Sequence, residues 1–297
     1  MTNGIARQRK RHGAGFDARR YASCFLGRPA RLAVLTLTFA LIAFPFYWLA
    51  TNAFKLPQDY FSQPPVLFPT RGTLQNFTEV FTKYQVGRGL VNSILIASMT
   101  TVLTLISGAL ASYSLTNGIL PRRTRRALML WFLVQRLYPA IVFAVPVFYV
   151  ISRLRLMDSI WALILMNTSF NIPLAILLLV GFYQDVPREV EEQAVLDGCN
   201  LFQRFFYIAT PMVAPGLAAV GILTFVFTWN EFLYAAILTI FKAKPLTVII
   251  AGFITDRGLI WGPMAAMGCI VVVPVLLVIW GAQKFFISGL SAGALKE

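Results

Sequence analysis

Long runs of apolar residues alternate with short polar connections along this 297-residue chain. Charge-free stretches at 32–53, 159–184 and 258–283, and one within 89–116, each reach the roughly 20 residues of helix needed to cross about 30 Å of hydrocarbon. A further stretch, 127–150, is interrupted by one charge, Arg136, and another begins near Phe205. The pattern predicts an all-α membrane protein of six helices, which puts both termini on one side. Pro45, Pro139, Pro146, Pro173, Pro215 and Pro274 fall inside these runs. They predict kinked or broken helices whose freed carbonyls are satisfied by neighbouring helices or an aqueous cavity, a feature that suits transport better than scaffolding. Between the first two spans, the 54–87 loop opens with Pro57, Pro64, Pro65 and Pro69, and residues 74–84 predict a short amphipathic helix.

Composition agrees: 58% of residues are hydrophobic and 13% charged, with a mean hydropathy of +0.70. A soluble domain carries about 25% charged residues, so a water-soluble globule is excluded. The net charge of +14 would suggest nucleic acid in a soluble protein. Here its distribution assigns topology instead. Sixteen Lys and Arg lie in the tail, the 2–3 and 4–5 connections and the C-terminus, against nine on the other side. Both termini are therefore expected in the cytoplasm, with the Arg122, Arg123, Arg125 and Arg126 cluster as the strongest marker. The organisation predicted is a basic cytoplasmic tail (1–31), a six-helix membrane domain (32–287) and a short cytoplasmic end (288–297). The 22-residue first apolar run is too long for a cleaved signal and is expected to remain as the first helix. Three scattered cysteines and the single His12 give no disulfide framework and no metal site.

Five of the twelve Asp and Glu fall in one cytoplasmic loop: Asp185, Glu189, Glu191, Glu192 and Asp197. The loop reads as a helix capped by Asp185, with Pro187 in its first turn and Gly198 as a left-handed stop. Asn200 can then cap a second helix, 201–208, running toward the membrane at Pro211. Such a rigid knob, acidic in its first helix and apolar in its second, suits docking in a groove of another protein, although a polar turn between two spans has the same composition.

The run Glu192-Gln193-Ala194-Val195-Leu196-Asp197-Gly198-Cys199, followed by Phe205, Ile208, Pro211 and Pro215-Gly216, resembles the EAA loop of binding-protein-dependent ABC importer permeases. Gln193 and Cys199 stand where that pattern has alanine. Trp229-Asn230-Glu231-Phe232, the C-terminal run from Gln283 through Gly289 and Gly293, Asn76-Phe77 and Arg136-Leu137-Tyr138-Pro139 resemble the carbohydrate branch, the smaller permease subunit of the maltose type. The likeness covers nearly all the chain after residue 32.

This resemblance implies a type I ABC importer permease in the bacterial inner membrane. The implied partners are a second permease in a heterodimer, two copies of a cytoplasmic ATPase and an external solute-binding protein. ATP and magnesium would belong to the ATPase. This chain has no Gly-Lys pair, hence no phosphate loop, and no catalytic constellation, so it is not expected to be an enzyme or to bind a cofactor. By the same resemblance Glu192, Ala194, Asp197, Gly198 and Phe205 couple to the ATPase, with Glu189 and Glu191 as bystanders. Arg136, Trp229, Asn230 and Glu231 are candidates for the substrate pathway. A charge near mid-membrane such as Arg136 must face the bundle interior or water, and it can equally bond carbonyls. Asn230 and Glu231 can bind sugar hydroxyls or join helices. Asp256, Arg257 and Trp261 would form a loop that reaches the binding protein, or a passive turn. An ion-coupled secondary transporter is the alternative class, but no internal repeat is evident and Glu231 is the one carboxylate within a span.

Overall fold

The computed structural model describes residues 28–294 except 70, 119, 256 and 257. Most of the basic tail and the Asp256–Arg257 pair thus lie outside the described residues. Besides two short 3-10 turns, Pro57–Asp59 and Ala140–Phe143, twelve helical segments follow one another among the described residues. The first six are α1 Arg28–Phe54, α2 Gln75–Thr82, α3 Val86–Thr116, α4 Arg122–Leu137, α5 Ala144–Arg153 and α6 Ile160–Gln184. Then come α7 Arg188–Leu196, α8 Leu201–Met212, α9 Ala214–Trp229, α10 Leu233–Leu238, α11 Leu246–Ala251 and α12 Trp261–Ala294. A two-stranded antiparallel ribbon, β1 Ile254–Thr255 with β2 Gly258–Leu259, precedes α12. Residues 288–294, read from sequence as a tail, continue α12.

Four of the described helices are long and apolar enough to cross a membrane: α1 (from Pro29), α3, α6 and the apolar part of α12. The remaining two predicted spans are broken. The third bends by 93° between α4 and the segment 140–153, and the fifth by 78° between α8 and α9. The 127–150 run is thus broken, as the prolines inside it predict. Pro139 lacks an amide hydrogen and disfavours a helical Tyr138, whose ψ is 132°.

The pair α3–α6 forms the centre, with α9 packed on both, α4 on α6, and α12 on α9 and α1. Close approach depends on small residues. A Cβ on Gly108 would lie 3.0 Å from the Cβ of Ala175 on α6. Nearby, Ser112 Oγ donates to the Ile176 carbonyl at 3.2 Å, and Asn171 Nδ2 donates to Thr228 Oγ1 at 3.4 Å, joining α6 to α9. In a bilayer such bonds replace the hydrophobic drive that lipid cannot supply.

The predicted short helix of the first loop is α2, and it is pinned to the end of α1. Asn76 Nδ2 donates to the carbonyls of Ala53 (2.9 Å) and Lys55 (3.0 Å). The buried ammonium of Lys55 donates to Asn52 Oδ1 at 2.9 Å and lies 4.0 Å from the Trp48 ring centre, so its charge is compensated by a dipole and a π face. The two ends of α3 then define two faces of the molecule. Arg122, Arg125 and α7 gather near Thr116, whereas Asn92 and the 239–245 connection gather near its start.

Candidate functional site

The acidic loop folds as a helix–turn–helix knob. Its first helix, α7, begins later than expected. Pro187 is the N-cap with extended backbone (φ −61°, ψ 130°), while Asp185 closes α6 and caps nothing in α7. A proline strongly disfavours helical backbone in the residue before it, here Val186, so α7 cannot begin at Asp185. The stop is as read. Gly198 has φ +81°, Cys199 N–H donates to the Ala194 carbonyl at 2.9 Å and Gly198 N–H to the Val195 carbonyl at 3.0 Å. These two bonds make a Schellman turn, which satisfies carbonyls that α7 would otherwise leave free. Asn200 and Gln203 then form a reciprocal cap on α8: Gln203 N–H donates to Asn200 Oδ1 at 2.9 Å and Asn200 N–H to Gln203 Oε1 at 2.8 Å. The turn is thus closed by backbone and side-chain bonds from both helices, which makes the knob rigid.

Its base is held by aromatic packing. Phe205 is buried, with ring centres 5.3 Å from Tyr113 and 6.4 Å from Tyr183, which end α3 and α6. Ala194 is the buried residue of α7. Glu192 and Asp197 are exposed, Glu192 also lining the cavity beside α7, and Asp197 accepts a bond from Gln193 Nε2 at 3.3 Å. The tip is apolar and exposed: Leu196 is 80% and Phe202 69% accessible. Glu191, read from sequence as a bystander, turns inward and lines a cavity between α7 and the ends of α3 and α6. Its i, i+3 spacing from Ala194 is the signal that places it on the inner face.

The break after α4 meets the connection from α9 to α10 inside the bundle. Tyr234 Oη donates to the Ala140 carbonyl at 2.8 Å, and Phe170 lies between Phe143 (5.9 Å) and Tyr234 (5.0 Å). Glu231 accepts from the amides of Tyr234 (2.7 Å) and Ala235 (3.1 Å), so it caps α10, and its carbonyl accepts from Thr247 Oγ1 at 2.9 Å. A mid-span carboxylate is thereby spent on free helix amides. Trp229 is buried and stacked on Phe225 at 5.7 Å, inside the core rather than along an open path. Asn230 is exposed and its amide bonds back to the Val226 carbonyl at 2.8 Å. Arg136, exposed in the last turn of α4, places its guanidinium 5.5 Å from the Phe227 ring centre. Arg136 and Asn230 therefore share an open face beside α9, while Trp229 and Glu231 serve the packing behind it.

At the other face, Trp261 opens α12 and meets Phe61 edge-on at 6.2 Å. Sequence reasoning misses Asp158, whose carboxylate accepts the amides of Ile240, Phe241, Lys242 and Ala243 at 2.9–3.2 Å. Burial works to raise its pKa, but these four donors outweigh that and hold it at about 2. Asn92 Nδ2 secures the same connection through the Lys242 and Lys244 carbonyls, both at 3.0 Å. No group of three or more His, Cys, Asp or Glu able to hold a metal occurs among the described residues.

Residues 114–286 match the family described as "Binding-protein-dependent transport system inner membrane component". The chain is 31% identical to the sulfoquinovosyl glycerol transport system permease protein SmoH of Agrobacterium fabrum, over 93% of this chain and 96% of that protein. It is 30% identical to the melibiose/raffinose/stachyose import permease protein MelC of Bacillus subtilis (91% and 98%) and 31% identical to the trehalose transport system permease protein SugB of Mycobacterium tuberculosis (90% and 96%). Among solved structures, a chain of a bacterial ABC transporter involved in the import of the acidic polysaccharide alginate superposes with a TM-score of 0.74. At 20% identity over 88% of this chain and 99% of that one, the likeness is one of fold.

Proposed function

Because the chain belongs to the family of binding-protein-dependent transport system inner membrane components, we propose that it is one of two permease subunits of an ABC importer for a carbohydrate or carbohydrate derivative. The observation that carries this reading is the rigid knob, whose exposed Leu196 and Phe202 flank a hydrogen-bonded turn. An apolar tip of this kind costs solvation unless a partner covers it. Two copies of a cytoplasmic ATPase, which bind the ATP and magnesium, supply the groove; Glu192 and Asp197 make its polar contacts. Phe205 ties the knob to α3 and α6, so closure of the ATPase would be transmitted to the bundle as a rigid displacement. This chain binds no cofactor and catalyses no reaction.

With α4–α5 and α8–α9 read as broken crossings the chain has six spans, and the Lys and Arg distribution supports both termini in the cytoplasm of a bacterial inner membrane. Arg136 and Asn230 face the second permease across the pathway, because a guanidinium near mid-membrane needs water or a polar partner. The segment with Asp256, Arg257 and Trp261 meets the external solute-binding protein. The sugars in the names of the relatives support the substrate class. An ion-coupled carrier finds no support in family or geometry.

Affinity purification of the tagged chain in mild detergent is the test of this assembly. ATPase and second permease subunits are expected to co-purify; recovery of a stable homo-oligomer competent in ion-driven uptake would refute it. Orientation is tested separately. Cysteines placed at Gln63 and Thr124 should react with a membrane-impermeant reagent from outside and inside respectively, and the reverse pattern would overturn the topology.

A further inference from the structure

The knob and the membrane bundle enclose a cavity of about 690 Å³ whose walls carry Arg122, Arg125, Arg188 and Arg204 against Glu191 and Glu192. None of these side chains forms an ion pair among the described residues. The Nε of Arg204 is buried and has no hydrogen-bond partner there. Arg122, Arg123 and Arg125 stand in the first turn of α4 with no acidic residue, Arg126 follows them, and the N-cap, Pro121, offers no side-chain cap. Cations at a helix N-terminus oppose the macrodipole, and uncapped amides there seek an acceptor. Four guanidinium groups, a buried free donor and an uncapped positive helix end converge on the same need, which is an anion with several oxygens.

A second cavity of about 450 Å³ adjoins the first and shares Arg122, Arg125 and Gln184 with it. Its other walls are Arg126 and the apolar Leu115, Met129 and Val180, on α3, α4 and α6, so apolar surface between membrane helices lies directly beside the arginines. A phosphate bearing an acyl chain fits both halves, whereas a free anion fits only the first. We infer that the paired cavities bind an anionic phospholipid, its phosphate among Arg122, Arg125, Arg188 and Arg204 and one acyl chain in the Leu115–Met129–Val180 groove. Basic pockets between membrane helices are general receptors for such headgroups. Because α7 forms one wall, the lipid bridges the bundle and the ATPase-coupling knob. The inference uses the orientation proposed above only to say which leaflet supplies the lipid.

The test is retention of lipid by the assembled transporter, purified from nanodiscs of phosphatidylcholine and phosphatidylglycerol and read by native mass spectrometry. Both leaflets are present in a nanodisc, so an inverted topology would not change the result. A surplus of two basic side chains at a membrane surface, at about 1 kcal/mol each, predicts a roughly thirtyfold preference for phosphatidylglycerol. The double variant Arg122→Gln/Arg125→Gln should bring the preference close to unity while the subunits still co-purify. Met129→Trp, which fills the groove and leaves the arginines, should reduce retention as well. Equal retention of the two lipids, or a preference unchanged in both variants, would overturn the site. Displacement of the lipid by inorganic phosphate with Met129→Trp having no effect would show a free-anion site and overturn the lipid assignment.

Discussion

Gly198→Val is expected to abolish uptake and loosen the hold on the ATPase while the permease still inserts. At φ +81° the residue stands where a Cβ meets its own carbonyl, at a cost of about 1–2 kcal/mol, more for a branched side chain. Open space surrounds it, with no atom within 4 Å of where a Cβ would stand, so the expected effect comes from the backbone and not from a clash. Valine would favour extended or helical φ and break the bonds from Cys199 to Ala194 and from Gly198 to Val195. The Asn200–Gln203 cap would then point α8 elsewhere, and the Leu196–Phe202 tip would lose its shape. Gly198→Asn, which enters the left-handed region at little cost, should keep most transport. The measurement is uptake alongside stimulation of ATP hydrolysis by the loaded binding protein: both are lost in Gly198→Val and retained in Gly198→Asn.

Asp158→Ala should produce the largest loss of stability. Four backbone amides of the 240–243 segment converge on this one carboxylate. Removing it leaves them to water, for about 2–3 kcal/mol once partial solvation is allowed for. A drop of roughly 5–10 °C in the melting temperature of the purified complex is expected. The charge also sets an acid limit. Its pKa falls from 3.8 unfolded to about 2 folded, so its contribution of about 2 kcal/mol is complete above pH 3.8 and is lost as pH falls toward 2. Asp158→Asn should be less stable at neutral pH and should flatten stability across that acid window. Identical melting curves at pH 7 would show that the carboxylate is not a staple.

The spans α1, α3, α6 and α12 are legible because each is an unbroken apolar run, and lipid demands nothing more specific than that. Breaks are announced by the span prolines, but not which of them break: hydropathy averages across a bend, and Pro45 and Pro173 leave their helices continuous while the chain turns after Leu137 and at Val213. The knob is legible at Gly198 and Asn200 because a Schellman turn and a capping box each close within six residues. Its start is misread at Asp185 because a carboxylate before a proline has the composition of a cap without its geometry. Glu231 stands out in sequence as a carboxylate among apolar residues, yet its task depends on the amides of Tyr234 and Ala235 becoming free at a break the sequence does not mark. Asp158 is out of reach for another reason: its partners lie 82–85 positions away.

Solute should cross through this chain only under the control of a partner's ATP hydrolysis. Proteoliposomes holding this chain, the co-purified permease and the ATPase test it most directly, with ATP enclosed and binding protein and labelled sugar outside. Accumulation is predicted only when internal ATP and the external binding protein are both present, with no change when proton and sodium gradients are dissipated. Uptake that persists without ATP and follows an imposed ion gradient would contradict the account.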